Sequence, residues 1–149
     1  MLNEIMEELQ EKSLQRETTV IELEQKKTTP FSELDEEVKL ALVCASEKKA
    51  THLTGIDLRE IASFTEFFLI ATAGNQRQAQ AISDEINEQL KTQFNSRPVR
   101  IEGYSSGEWI LLDYGDFIVH VFEKNAREFY DLERLWLDAN RVEIPKELT

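Results

Sequence analysis

The sequence predicts an α/β (α+β) domain: a mixed five-stranded sheet flanked by helices, preceded by a polar N-terminal extension. Three observations carry this. Capped helical stripes alternate with short strand segments along residues 30–142. The run Phe67–Ala73 is almost wholly apolar, as in a strand buried on both faces. Two strand segments also meet across Gly115-Asp116, a two-residue turn. The chain has 149 residues, enough for one domain with a core of its own.

Residues 1–29 are rich in Glu, Gln and Lys and contain neither Gly nor Pro. Leu2, Ile5, Met6 and Leu9 make one short helical stripe, which decays toward Thr18, Thr19, Val20 and Ile21. A partly helical or disordered extension is expected there, ending at Pro30 and lying outside the core. Ser32 is the expected cap of a helix reaching about Lys49, with Leu34, Val38, Ala41, Leu42 and Ala45 on its buried stripe. Cys44 sits beside that stripe as a small hydrophobe.

Gly55 to Leu58 and Phe67–Ala73 are the next strands. Asn75 caps a helix carrying Ala79, Ile82, Ile86 and Leu90, with Gln78 at the third position. A return strand follows from Val99 to Glu102, and then the hairpin of Trp109 to Tyr114 with Phe117 to Phe122. The last helix is expected from near Asn125 to near Asn140, burying Phe129, Leu132 and Trp136, and residues 143–149 form a tail.

Strand parity divides the hairpin into two faces. Ile110, Leu112 and Tyr114 join Phe117, Val119 and Val121 on a wholly apolar face, which should cover the helices. Trp109, Leu111 and Asp113 join Ile118, His120 and Phe122 on a mixed face. Two readings fit the mixed face. A helix or the extension covers it and makes Trp109 and Phe122 core, or its aromatics anchor a protein partner.

Composition and motifs narrow the chemistry. Seventeen Lys and Arg against 29 Asp and Glu leave a net charge of −12, opposed to a phosphate-driven nucleic-acid binder. Residues 50–149 alone hold 17 acids and 10 bases. No apolar run approaches the ~20 residues of a membrane span. The acid-rich start does not read as a targeting segment, so a cytoplasmic protein is expected. One cysteine and two histidines, His52 and His120, stand at no metal-ligand spacing. Asp35/Glu37 and Asp131/Glu133 are two apart on predicted helices and point to different faces, while Asp113 and Asp116 read as turn acids. No catalytic residue, metal site or cofactor is expected.

The block from Glu102-Gly103 through Trp109, Leu111-Leu112-Asp113-Tyr114-Gly115-Asp116 and Val119-His120-Val121-Phe122 to Ala126-Arg127-Glu128-Phe129-Tyr130-Asp131-Leu132-Glu133-Arg134-Leu135-Trp136 resembles the ribosomal silencing factor (Iojap-like) family. Arg77-Gln78, Ala81-Ile82 and Asp84-Glu85-Ile86 extend the resemblance, which covers about residues 33–142. The chain departs from the family pattern at Glu66, where Asp is usual, and at the Ala73-Gly74-Asn75 turn.

The resemblance implies a nucleotidyltransferase-like fold without demonstrated activity. It implies binding to the large ribosomal subunit through its L14-type ribosomal protein, a block on small-subunit joining, and repression of translation under nutrient limitation. A homodimer is implied for the free protein. The expected partner-binding residues are Trp109, Leu111, His120 and Phe122 on the mixed face, with Tyr114 at the end of the same hairpin. Two other functions stand beside this one. A divergent metal-dependent nucleotidyltransferase-like enzyme requires two strand-borne carboxylates converging on Mg²⁺. A scaffold for another protein partner requires only an exposed apolar patch.

Overall fold

A computed structural model describes residues 1–14 and 27–149. The expectation at Thr18, Thr19, Val20 and Ile21 lies outside the described residues. Helix α1 spans Leu2–Leu14, followed by β1 (Thr28–Thr29), α2 (Glu36–Glu47), β2 (Thr51–Asp57), β3 (Phe67–Ala73), α3 (Gln76–Phe94), β4 (Arg100–Glu102), β5 (Trp109–Asp113), β6 (Phe117–Glu123), α4 (Lys124–Tyr130) and β7 (Asn140–Val142).

Among the described residues the strands form one seven-stranded mixed sheet in the order β1-β7-β2-β3-β6-β5-β4. The expected five strands are corrected to seven. The two additions, β1 and β7, are two- and three-residue strands too short to show alternation. They pair with each other in parallel and join the sheet through β2. Gly55 lets β7 approach, because a Cβ there would stand 2.6 Å from the Val142 Cβ.

The hairpin register follows the parity argument. Trp109 opposes Phe122, Leu111 opposes His120, and the Tyr114 amide donates to the Phe117 carbonyl. Gly115 takes the positive φ of +87° that the turn requires. Strand β3 is buried along its whole length and lies parallel to β6. The return strand β4 does not sit beside β3. Helix α3 crosses over β6 and β5 to reach the edge of the sheet.

Two cores cover the two faces. On the first, α2 and α3 pack Val38, Leu42, Ile82, Ile86 and Leu90 onto Leu69, Ala71, Leu112, Val119 and Val121. Cys44 is buried here, and burial, with Glu85 and Glu47 adding, pushes its thiol up to about 11. The second core holds Trp109, Leu111, Ile118 and Phe122 with Phe68 and Ile70, under Ala126, Leu132 and Leu135. Ile5 and Leu9 of α1 belong to this second core, so the start of the extension does not lie outside it.

Helix boundaries differ from expectation in two places. Helix α2 begins after Asp35, and Phe31–Glu33 form a separate 3-10 turn containing Ser32. Helix α4 stops at Tyr130, where Asp131 turns left-handed (φ 46°), and Leu132–Trp136 continue as 3-10 helix. The break rotates the stripe. Leu132 and Leu135 are buried, but Phe129, expected in the core, is 78% exposed. Residues 143–149 are not free of the domain, because Ile144 and Leu148 lean on the first core.

Candidate functional site

The expected docking face lies inside the protein. Trp109 retains 2% of its exposure, and Leu111, His120 and Phe122 retain none. The expectation that this face is exposed is therefore corrected, and the reading in which a helix and the extension cover it describes the molecule. Tyr114 lies half-buried on the opposite face, stacked on Phe117 at 4.9 Å between centroids.

The physical reason is hydrogen bonding as well as area. The Trp109 indole Nε1–H donates to His120 Nδ1 at 3.0 Å, a buried bond across the β5–β6 pair. Accepting at Nδ1 puts the imidazole proton on Nε2. Burial pushes His120 down to about 3, so the ring is neutral at any physiological pH. His120 and Phe68 meet edge to face at 4.5 Å, and Trp109 lies 4.6 Å from Phe122 and 4.9 Å from Tyr130. An exposed pair would exchange these contacts for water.

A second cluster, which the sequence reading missed, is built on Arg127. Its guanidinium donates to the His52 carbonyl, to Thr72 Oγ1 at 2.7 Å, to Thr54 Oγ1 at 2.9 Å and to Glu133 at 3.0 Å. It thus ties α4 to β2, β3 and the 3-10 turn. His52 presents its carbonyl from a left-handed conformation (φ 49°), at a register shift between Thr51 and Thr54. Arg127 and Glu133 are six apart, which is no helical pairing distance, so only the break after Tyr130 brings them together.

A third cluster surrounds Asp57. This buried carboxylate accepts from Thr29 Oγ1 at 2.6 Å and from Arg59 Nη2 at 2.7 Å and Nε at 3.0 Å. Burial alone would raise it, but the Arg59 and Thr29 hydrogen bonds and the Arg59 charge hold it below the usual carboxylate range. It fastens β1 to β2 and is fully engaged.

The remaining acids are structural where the contacts are visible. Asp113 accepts from the Gly115 amide, as a turn acid does, and Asp131 pairs with Arg134. Among the described residues no three His, Cys, Asp or Glu side chains converge as a metal site. The two departures are accommodated: Glu66 is exposed, and Asn75 Oδ1 accepts the Gln78 amide at 2.8 Å, the helix cap expected of it.

The comparisons with known proteins agree with this architecture. The family model described as "Ribosomal silencing factor during starvation" matches residues 31–149. The chain belongs to the ribosomal silencing factor family. A ribosomal silencing factor from Halalkalibacterium halodurans is 38% identical over 107 residues, 72% of this chain and 91% of that protein. One from Bacillus subtilis is 35% identical over 107 residues, 72% of this chain and 90% of its own. The chloroplastic Iojap protein of Zea mays is 37% identical over 68% of this chain and 43% of its own. A crystal structure from Chromobacterium violaceum superposes with a TM-score of 0.66 at 32% identity, covering 74% of this chain and 88% of that one. Helix α1 and strand β1 precede the matched residues of this silencing-factor domain.

Proposed function

We propose that the protein represses translation by binding the large ribosomal subunit, in the cytoplasm, through its L14-type protein, and so obstructs small-subunit joining when nutrients are short. Free in solution it is a homodimer, and it catalyses no reaction. The observation that carries this reading is the match over residues 31–149 to a family whose curated relatives are named ribosomal silencing factors. The net charge of −12 supports a basic protein partner over bare RNA.

Trp109, Leu111, His120 and Phe122 enter this reading from beneath the surface, with Tyr114 behind the sheet. They support α4, which holds out Phe129 at 78% exposure. A large, unburied aromatic on a well-supported helix is the usual form of an interface anchor. Co-sedimentation with purified large and small subunits tests the function. The protein should pellet with the large subunit alone. Phe129→Ala should weaken that binding at least ~10-fold, about 1.4 kcal/mol, with an unchanged melting curve. Binding to neither subunit would remove the reading, and unaltered binding by the variant would move the anchor elsewhere.

A further inference from the structure

A crevice at one end of the sheet has a ligand-binding topology. Strands β3 and β6 are adjacent and parallel, and their chains leave in opposite directions. Helix α3 follows β3 onto the first face, and α4 follows β6 onto the second. Adjacent parallel strands whose connections diverge leave a cleft outside their carboxyl ends, the position where open α/β sheets bind ligands. Here that cleft is a cavity of about 510 Å³ between Thr72–Gly74 and Lys124–Arg127, a size suited to a small molecule.

The cleft carries as many acids as cations, but among the described residues it holds cations that have no ion-pair partner. It is lined by Lys49, His52, Lys124 and Arg127, and it continues past Gly74 and Lys124 to Gln76 and Arg77. The acids along it are mostly spent: Glu133 holds Arg127, Asp131 holds Arg134, and the Glu123 carboxylate accepts the Asn125 and Ala126 amides. Among the described residues Lys49, Arg77 and Lys124 form no ion pair, and Glu128 is the one lining acid left to oppose them. The start of α3 borders the same space. Asn75 satisfies Gln78 and Ala79, and the amides of Gln76 and Arg77 are the orphan donors a helix start carries.

We propose that this cleft binds a small phosphorylated molecule, with Lys49, Lys124 and Arg77 meeting its phosphate oxygens. The ligand is bound rather than turned over. This binding does not depend on ribosome docking, because the cleft is formed within the chain at the carboxyl ends of β3 and β6. A small molecule is favoured over an RNA backbone because the unpaired cations line one confined cleft, not a stripe.

Titration calorimetry of the full chain with inorganic pyrophosphate, in EDTA at low salt, tests this. Saturable one-to-one binding is expected. Lys49→Ala/Lys124→Ala should weaken it at least tenfold, while Lys91→Ala, far along α3, should leave it unchanged. All three lysines are exposed, so melting curves should coincide and a lost signal reports the site. Absence of pyrophosphate binding overturns the proposal. So does binding that the double variant retains, equal loss in Lys91→Ala, or a short single-stranded RNA binding more tightly than pyrophosphate at the same salt.

Discussion

Trp109 and His120 illustrate how one hydrogen bond assigns a whole face. Trp109→Ala removes a fully enclosed indole and its bond to Nδ1, so unfolding in urea should show a loss of about 3–5 kcal/mol. Trp109→Phe keeps most of the volume but orphans a buried acceptor, and should cost about 1–3 kcal/mol. A Trp109→Ala protein as stable as its parent would return this residue to the surface. His120 makes a second prediction, with a definite sign. Burial lowers its pKa from 6.5 to about 3 in the folded protein. The unfolded chain therefore takes up a proton first. The stabilisation is complete above the unfolded value and is lost as pH falls from about 6.5 toward 3, by up to about 1.4 kcal/mol per pH unit. His120→Gln can still accept from the indole and should flatten that slope between pH 6.5 and 5, where carboxylates contribute little.

Elements in this fold are held at their ends more than along their lengths. Helix α4 is one such case: it has seven residues, too few to be stable by itself. Its position is set by Arg127, which reaches two strands and the following turn. Arg127→Lys keeps the charge but cannot fork to four acceptors. It should lower stability by about 1.5–3 kcal/mol, the range for hydrogen bonds to charged groups, and thermal melting of the two proteins checks it. A melting curve unchanged by the substitution would mean that packing of Ala126, Leu132 and Leu135 alone seats the helix. The same helix shows where the periodicity argument failed. A continued helix would bury Phe129 with Leu132 and Trp136, but the left-handed Asp131 breaks the 3.6-residue repeat and turns Phe129 outward.

For the whole molecule, charge and topology separate two kinds of recognition. With 29 acids against 17 bases, the surface should steer the chain toward a basic protein. Association with large subunits should slow steeply as salt rises, with a much smaller change in dissociation. Stopped-flow measurements across ionic strength read both rates, and a salt-independent association rate would exclude steering.

The features legible in the sequence are local. The extent of β3, the Asn75 cap, the hairpin register and the division of its faces all follow from period, parity and turn chemistry, which neighbouring residues settle among themselves. The apolar face was legible for the same reason, and so was Cys44 as a buried hydrophobe. Which side of the mixed face meets water was not legible, because Ile5 and Leu9 cover it from a hundred or more residues away in the chain. Strands β1 and β7 exist only because they find each other and β2, Arg127 meets Glu133 only after a break in the helix, and the cleft opens only because two parallel strands send their helices to opposite faces. Each of these depends on how separate elements are set against one another, which neighbouring residues do not fix among themselves.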